Sequence, residues 1–431
     1  MRFPLASRIL IVAGVAVGLL LPLSMIRDKV AERRDRAAAV QKAFADETSG
    51  PQVVAGPFLA LTCEESYIHE RTVHQDGKPV TLRERKLRAC PIHLVLPRTL
   101  TIGARAPVEL RHRGIYPIRL YRARMDIAAA FDLPPQPEAH GETRRTWKDA
   151  FLVLSVADVR GIKQAPDLFM PGTVDPRLRS GLHARLGSYA EVQGKRDLEF
   201  QVPLELAGTA RLDIAPVGTT SEIRIASDWP HPSFVGAYPP DQRESGAAGF
   251  AAAWRVSHLA TGGQQFWLDA IAADKLFANP RLVGMTLVEP VNPYSMSYRA
   301  TEYGFLFVLL TFAVFGLVEL VWGLRLHPMQ YALTGLALSV FFLLLIALSE
   351  HVAFSLAYLL AAAACVGLIT RYLGKALFSA LFGGLYGALY VLLESEDHAL
   401  LLGSLLVFCM LAAVMLATRR LDWSGLSGRL R

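Results

Sequence analysis

The sequence predicts an α+β membrane protein: an N-terminal transmembrane anchor, a large β-sandwich-like domain outside the bilayer, and a C-terminal five-helix transmembrane bundle. Three observations predict it. Residues 303–418 are almost continuously apolar and are broken only by short polar cuts. Residues 52–289 instead run in short stretches of two-residue alternation, separated by Pro, Gly and Asp. A separate apolar run, 9–26, follows Arg2 and Arg8.

Composition agrees. With 52% hydrophobic and only 19% charged residues over 431 positions, and a mean hydropathy of +0.31, the chain is too apolar to be wholly soluble. The net charge of +7 is spread along the chain without a basic block or interleaved aromatics. That excludes a nucleic-acid partner and fits cationic anchoring on one side of a bilayer.

The N-terminal run ends in Leu23-Ser24-Met25-Ile26-Arg27 without a small-residue cleavage site, so it is read as an uncleaved anchor over 1–26. Residues 27–48 are charged, with Val30, Ala37, Val40 and Phe44 at helical spacing, and predict a helical stalk that Ser49-Gly50-Pro51 ends. The β-rich domain is assigned to 49–302, as an antiparallel sandwich or two stacked β modules. It is long enough to bury its own core.

The bundle, 303–418, is cut at 325–330, at Glu350-His351, at 371–375 and at 394–398. Each segment between cuts has roughly the 18–22 residues that span a hydrocarbon core at 1.5 Å per residue. Basic residues mark the first and third cuts and follow the last segment, whereas acidic residues mark the second and fourth. Since cytoplasmic loops carry the Lys/Arg excess, the tail 419–431 is expected inside. With about six spans in all, the N-terminus is then also inside and the β-rich domain outside. One feature opposes this orientation: Arg27, Lys29, Arg33, Arg34 and Arg36 follow the anchor on the outer side. Asp28, Glu32 and Asp35 interleave with them, and inverting the anchor would invert every later loop.

Of the four cysteines, Cys365 and Cys409 fall inside spans, as packing residues. Cys63 and Cys90 fall in the outside domain at strand positions, where two readings stay open, a disulfide or two buried thiols. No metal-ligand spacing, phosphate loop or nucleophile elbow occurs, so neither a cofactor nor a catalytic residue is assigned. The densest unusual stretch is 228–234, Asp-Trp-Pro-His-Pro-Ser-Phe. Its two prolines hold the backbone extended, which disfavours a catalytic triad. It is read as a rigid aromatic corner or as a partner-binding edge formed by Trp229, His231 and Phe234.

No charged residue falls at a predicted midplane. Glu319 lies near the cytoplasmic end of its span, where an interfacial ion pair with Arg325 is expected. His351 and His398 sit beside carboxylates at the outer face, as caps or as sensors of external pH. Gly383 with Gly387, and Gly335 with Ser339, make small-x-x-x-small pairs expected to pack the bundle internally.

Several motifs resemble one family, the bacterial inner-membrane protein family CreD, described as cell-envelope integrity proteins. They are Tyr303-Gly304-Phe305-Leu306-Phe307, His327-Pro328-Met329-Gln330-Tyr331, Leu348-Ser349-Glu350-His351, the stretch 394–403, and Thr418-Arg419-Arg420-Leu421-Asp422-Trp423. Upstream, Gly56-Pro57-Phe58-Leu59, Arg113-Gly114-Ile115-Tyr116, 229–234 and 249–254 are similar to it in the same order. Cys63 and Cys90 depart from the family pattern. The resemblance implies a Gram-negative inner-membrane protein with a periplasmic domain. It also implies a link to a two-component system and roles in envelope integrity, colicin tolerance and β-lactam response, and it carries over no catalytic residue.

The function expected is therefore non-enzymatic: a bundle in the lipid bilayer anchoring a periplasmic β domain that binds another envelope component. The alternative is a transporter or channel for a small or lipidic substrate, with the β domain as a lid.

Overall fold

The computed structural model describes residues 5–75, 78–137, 143–178, 180–195, 198–289, 292–322, 326–395 and 398–419. Arg2, Arg325, Glu396, Asp397 and Arg420, used above as flanking charges or partners, lie outside the described residues. Contacts divide the chain into a helical unit, 1–39 with 291–431, and a β-rich unit, 40–290.

The β-rich unit opens with β1 (Gln52–Gln75), β2 (Lys78–Ala89), β3 (His93–Val95), β4 (Thr99–Arg105), β5 (Val108–Arg113) and β6 (Tyr116–Ala130). It continues through β7 (Arg144–Val156), β8 (Ile162–Gln164), β9 (Met170–Pro171), β10 (Gly181–Ser188), β11 (Glu199–Thr209) and β12 (Arg211–Ala215). The last strands are β13 (Thr220–Ser227), β14 (Pro232–Gly236), β15 (Gln242–Gly246), β16 (Gly249–Ser257) and β17 (Val283–Leu287). A nine-stranded sheet runs β14-β17-β12-β1-β7-β10-β9, with β2 and β3 also on β1. An eight-stranded sheet runs β15-β16-β13-β4-β6-β11-β8, with β5 also on β6.

The two orders correspond position by position. Apart from β1 and β4, facing entries are consecutive in the chain, so the polypeptide repeatedly steps from one sheet to the other. One core draws on both, with Leu59, Leu152 and Ile214 from the first sheet and Leu100, Ile127 and Trp254 from the second. Burying both inner faces together is what makes the arrangement stable.

The antiparallel expectation needs correcting at one place in each sheet: β1 pairs with β12, and β4 with β13, in parallel. These partners are joined through many intervening strands, a route that permits parallel pairing where a tight hairpin does not. The alternation pattern also has an exception. Residues 52–61 of β1 are all buried, because α3 (Tyr189–Gln193), α4 (Gln264–Ala272) and the turn Pro176–Leu178 add Tyr189, Trp267 and Leu178 to the core.

In the helical unit α1 (Leu5–Gly18) is followed by α2 (Leu20–Glu47), whose residues to 39 belong here. Then come α5 (Pro293–Glu302), α6 (Gly304–Trp322), α7 (Pro328–Ser349), α8 (Phe354–Leu373), α9 (Leu377–Glu394) and α10 (Ala399–Thr418). The sequence reading ended the β-rich domain at 302, but α5 packs against α6, α7 and α9 and is part of this unit.

Among the described residues four helices are long and apolar enough to cross a membrane: Leu10–Glu47, α7, α8 and α9. The pair α5 and α6, bent by 49°, adds a fifth if it forms one span, and Leu400–Leu416 is a shorter apolar helix. Edge-to-face aromatic rings fill the centre: Phe315 meets Tyr331, Phe378 and Phe382, and Phe341 meets Tyr358 and Tyr386.

The punctuation between helices has local causes. Before α7, His327 Nδ1 accepts from the Met329 N–H at 3.2 Å, and the Gln330 side chain accepts from the His327 N–H at 2.8 Å. Pro328 sits at the first helical position, so His-Pro-x-Gln is a reciprocal cap. Gly374 ends α8 in the left-handed region at φ 72°. A Cβ on Gly335 would lie 2.1 Å from Leu19 Cδ1, so this glycine admits a neighbour. Gly383 and Gly387 differ from expectation: both are exposed, with nothing within 4 Å of where a Cβ would stand.

Candidate functional site

The strands of the eight-stranded sheet alternate strictly between buried and exposed in β4, β13 and β16, which leaves one face to solvent within the β-rich unit. Register lays that face out as rows. One row reads Gln242, Ala253, Arg224, Gly103, Asp126, Pro203 across β15, β16, β13, β4, β6 and β11. The next reads Glu244, Ala251, Ala226, Arg105, Arg124, Glu205. Small residues at the centre lower the floor, and a depression of about 680 Å³ results.

Its rim is cationic, with Arg105, Arg124 and Arg224 against Asp126 and Glu244. The Arg105 and Arg224 side chains have no ion pair or hydrogen bond from described residues. Arg124 lies 4.0 Å from Glu205, a carboxylate that Arg122 approaches more closely at 3.4 Å. Arg105 and Arg124 are direct cross-strand partners, and like charges so placed destabilise a sheet. A depression that keeps this repulsion is chemically fitted to an anion.

The residues singled out in the sequence lie elsewhere. β14, which carries Phe234, is an edge strand of the nine-stranded sheet. Phe234 turns inward onto Phe250 and Trp254, at centroid distances of 5.6 and 5.8 Å. Trp229 donates its ring N–H to the Val288 carbonyl at 2.9 Å and meets His231 edge-to-face at 6.5 Å. Asp228 accepts from the Val108 N–H at 2.8 Å. Of Trp229, His231 and Phe234, only His231 is exposed, and the segment is built as a corner.

Cys63 and Cys90 face each other with Cα atoms 5.4 Å apart, within reach of a disulfide. Between them β1 and β2 form a two-stranded ribbon paired from Glu64–Ala89 to Gln75–Lys78. Beside this base, Glu65 accepts from Arg88 at 2.6 Å and from Arg145 at 3.2 Å, its partners on the strands to either side. The Arg88 guanidinium above all, with Arg145, holds the Glu65 carboxyl below the ordinary glutamate range, against the opposing effect of burial.

In the helical unit Glu319 accepts from the Leu326 N–H at 2.7 Å and so closes the α6–α7 turn; its expected partner Arg325 lies outside the described residues. Four basic residues of α2 are engaged by acids or an aromatic ring. Arg27 meets Glu302 at 3.4 Å and Tyr298 at 3.1 Å, Lys29 meets Glu32 at 2.8 Å, and Arg33 meets Glu350 at 3.6 Å. Arg34 lies over the Tyr298 ring at 4.3 Å. Among the described residues no group of three or more His, Cys, Asp or Glu is placed to hold a metal ion.

Sequence reasoning missed the arginine depression because its members come from distant strands. The signal present was local: Arg224 between Ile223 and Ile225, and Arg105 after an alternating run. The sequence pattern described as Inner membrane protein CreD matches residues 4–424. The inner membrane protein CreD of Escherichia coli strain K12 is 35% identical over 448 aligned positions, covering 99% of this chain and 95% of that protein. No solved structure matches. With a two-unit fold of apolar helices and β-sheets, and a match running nearly end to end, the chain belongs to the CreD family of inner membrane proteins.

Proposed function

We propose that this protein is a non-enzymatic support of cell-envelope integrity whose β-rich unit stands in the periplasm and binds an anionic envelope component. The observation that carries the reading is the depression in which the Arg105 and Arg224 side chains have no partner among the described residues. Unpaired guanidiniums over a floor of small residues suit phosphate or carboxylate groups, which they grip in bidentate fashion.

Topology supports the periplasmic placement. The pairs Arg27–Glu302 and Arg33–Glu350 hold the end of the first apolar helix, the start of α6 and the end of α7 on one side of the helical unit. Arg371 in the last turn of α8, Lys375 just after it and Arg419 after α10 mark the other side, as the positive-inside rule requires of cytoplasmic loops. Of the α2 cations that oppose that orientation, Arg27, Lys29 and Arg33 each have an acidic partner. The Cα distance supports a Cys63–Cys90 disulfide in that oxidising compartment.

The test is in-cell photo-crosslinking from position 253, at the centre of the depression, in the natural protein and in Arg105→Ala/Arg224→Ala. The reading expects a product that the double substitution abolishes. A product that survives it, or capture of nothing but other copies of this chain, contradicts the reading. The transport alternative is favoured by the buried hydroxyls of Thr311 and Thr334, which find no hydrogen-bond partner among the described residues. Flux through reconstituted liposomes that Thr311→Val stops would establish it instead.

A further inference from the structure

Lys29, Glu32, Arg33 and Arg36 recur at i, i+3, i+4 and i+7 and so share one face of α2, where Lys29 pairs with Glu32 at 2.8 Å. Leu343, Ile346, Ala347 and Glu350 share one face at the end of α7, and the two faces enclose a cleft of about 230 Å³. At ~30 Å³ per water that is room for roughly seven waters, enough for a headgroup but not for a lipid. The cleft lies where the apolar helix α7 ends, so in a bilayer it opens at the interface.

Two needs remain unmet within it. Arg36 has no ion pair or hydrogen bond among described residues. Glu350 has the opposite deficit: its carboxylate is 11% exposed and 3.6 Å from Arg33, too far for a hydrogen bond, and Oε1 has no donor. One cation therefore lacks an anion, and one nearby carboxylate lacks a donor. Below the cleft Leu336, Val340 and Leu343 of α7 form an exposed apolar stripe leading away from the charges.

We propose that this cleft holds the headgroup of a phospholipid that carries a primary ammonium beside its phosphate, as phosphatidylethanolamine does. Arg36 takes the phosphate, Glu350 accepts from the ammonium, and an acyl chain lies along the α7 stripe. The charge order matches a zwitterion. A purely anionic headgroup would bring its negative charge toward Glu350 with nothing to donate.

The test uses the purified full-length protein in detergent and native mass spectrometry with lipids of identical acyl chains. Phosphatidylcholine is the control, because its trimethylated nitrogen keeps the charge but has no hydrogen to donate. A charge-assisted hydrogen bond makes a difference of about tenfold, so phosphatidylethanolamine is expected to bind about tenfold more tightly than phosphatidylcholine. Glu350→Gln should remove that preference, and Arg36→Gln, a change at an exposed residue, should weaken both lipids alike. Equal binding of the two lipids overturns the proposal, as does a preference that survives Glu350→Gln. Glycerophosphoethanolamine binding as tightly as the intact lipid also overturns it, since the site would then recognise a soluble phosphoester.

Discussion

The Arg33 guanidinium stands 3.6 Å from the Glu350 carboxylate and ties the first long helix to the end of α7. Glu350 is nearly buried, whereas Arg33 is half exposed, so the pair matters more for the acid than for the base. Removing the cation leaves a carboxylate in poor contact with water.

Arg33→Ala is therefore expected to lower stability by about 1 kcal/mol, with screening at the exposed end limiting the loss. Thermal unfolding in detergent measures it. Arg33→Glu should cost more, and the exchange Arg33→Glu/Glu350→Arg should recover most of the loss. No recovery would mean that the two side chains are not coupled.

The ribbon of β1 and β2 starts at Cys63 and Cys90, and beyond Ser66 it runs without β7 beside it. A two-stranded ribbon is marginal alone, and a crosslink closing a loop of this length contributes about 3 kcal/mol. Cys63→Ser/Cys90→Ser should make 64–89 the first site of proteolysis while the rest of the β-rich unit resists. The natural protein should also migrate differently before and after reduction. Identical migration would show two thiols.

Glu65 sits between Arg88 and Arg145 at the foot of the same ribbon. Its folded-state pKa is lowered, so its stabilising effect is present above the ordinary glutamate range and is lost as the pH falls below it. Hydrogen exchange of the ribbon should accelerate on acidification in the natural protein. In Glu65→Gln it should already be faster at neutral pH and respond less to acid.

The His327 and Gln330 side chains cap α7 reciprocally. Either substitution to Ala is expected to cost about 1 kcal/mol, read as a lower melting temperature in detergent. Met329→Leu, next door at an exposed position, should be neutral.

The helices were legible because an apolar run long enough to span lipid leaves little choice of structure. The cap at His327 was visible as a motif, though its hydrogen bonds were not. In the β-rich unit the strands announced themselves by alternation, but their partners did not. β1 lies beside β12 and β4 beside β13 at separations no local pattern records. The arginine depression was hidden for that reason, since Arg105, Arg124 and Arg224 become neighbours only through that register. The stretch 228–234 drew notice for its aromatic residues, and the contacts of Trp229 and Phe234 show rings spent on packing. The outward-facing Gly383 and Gly387 show that small-residue spacing marks a helix face without saying what meets it.

Everything proposed for the β-rich unit requires it to face the periplasm, and cysteine labelling tests that most directly. In a background with Cys365 and Cys409 replaced by Ala, one cysteine is placed at Leu259, which is 80% exposed in the β-rich unit, and another in a separate variant at Arg419. A membrane-impermeant maleimide added to spheroplasts should label position 259 at once and position 419 only after the membrane is permeabilised. Labelling of 419 in intact spheroplasts, with 259 protected until permeabilisation, would contradict the account.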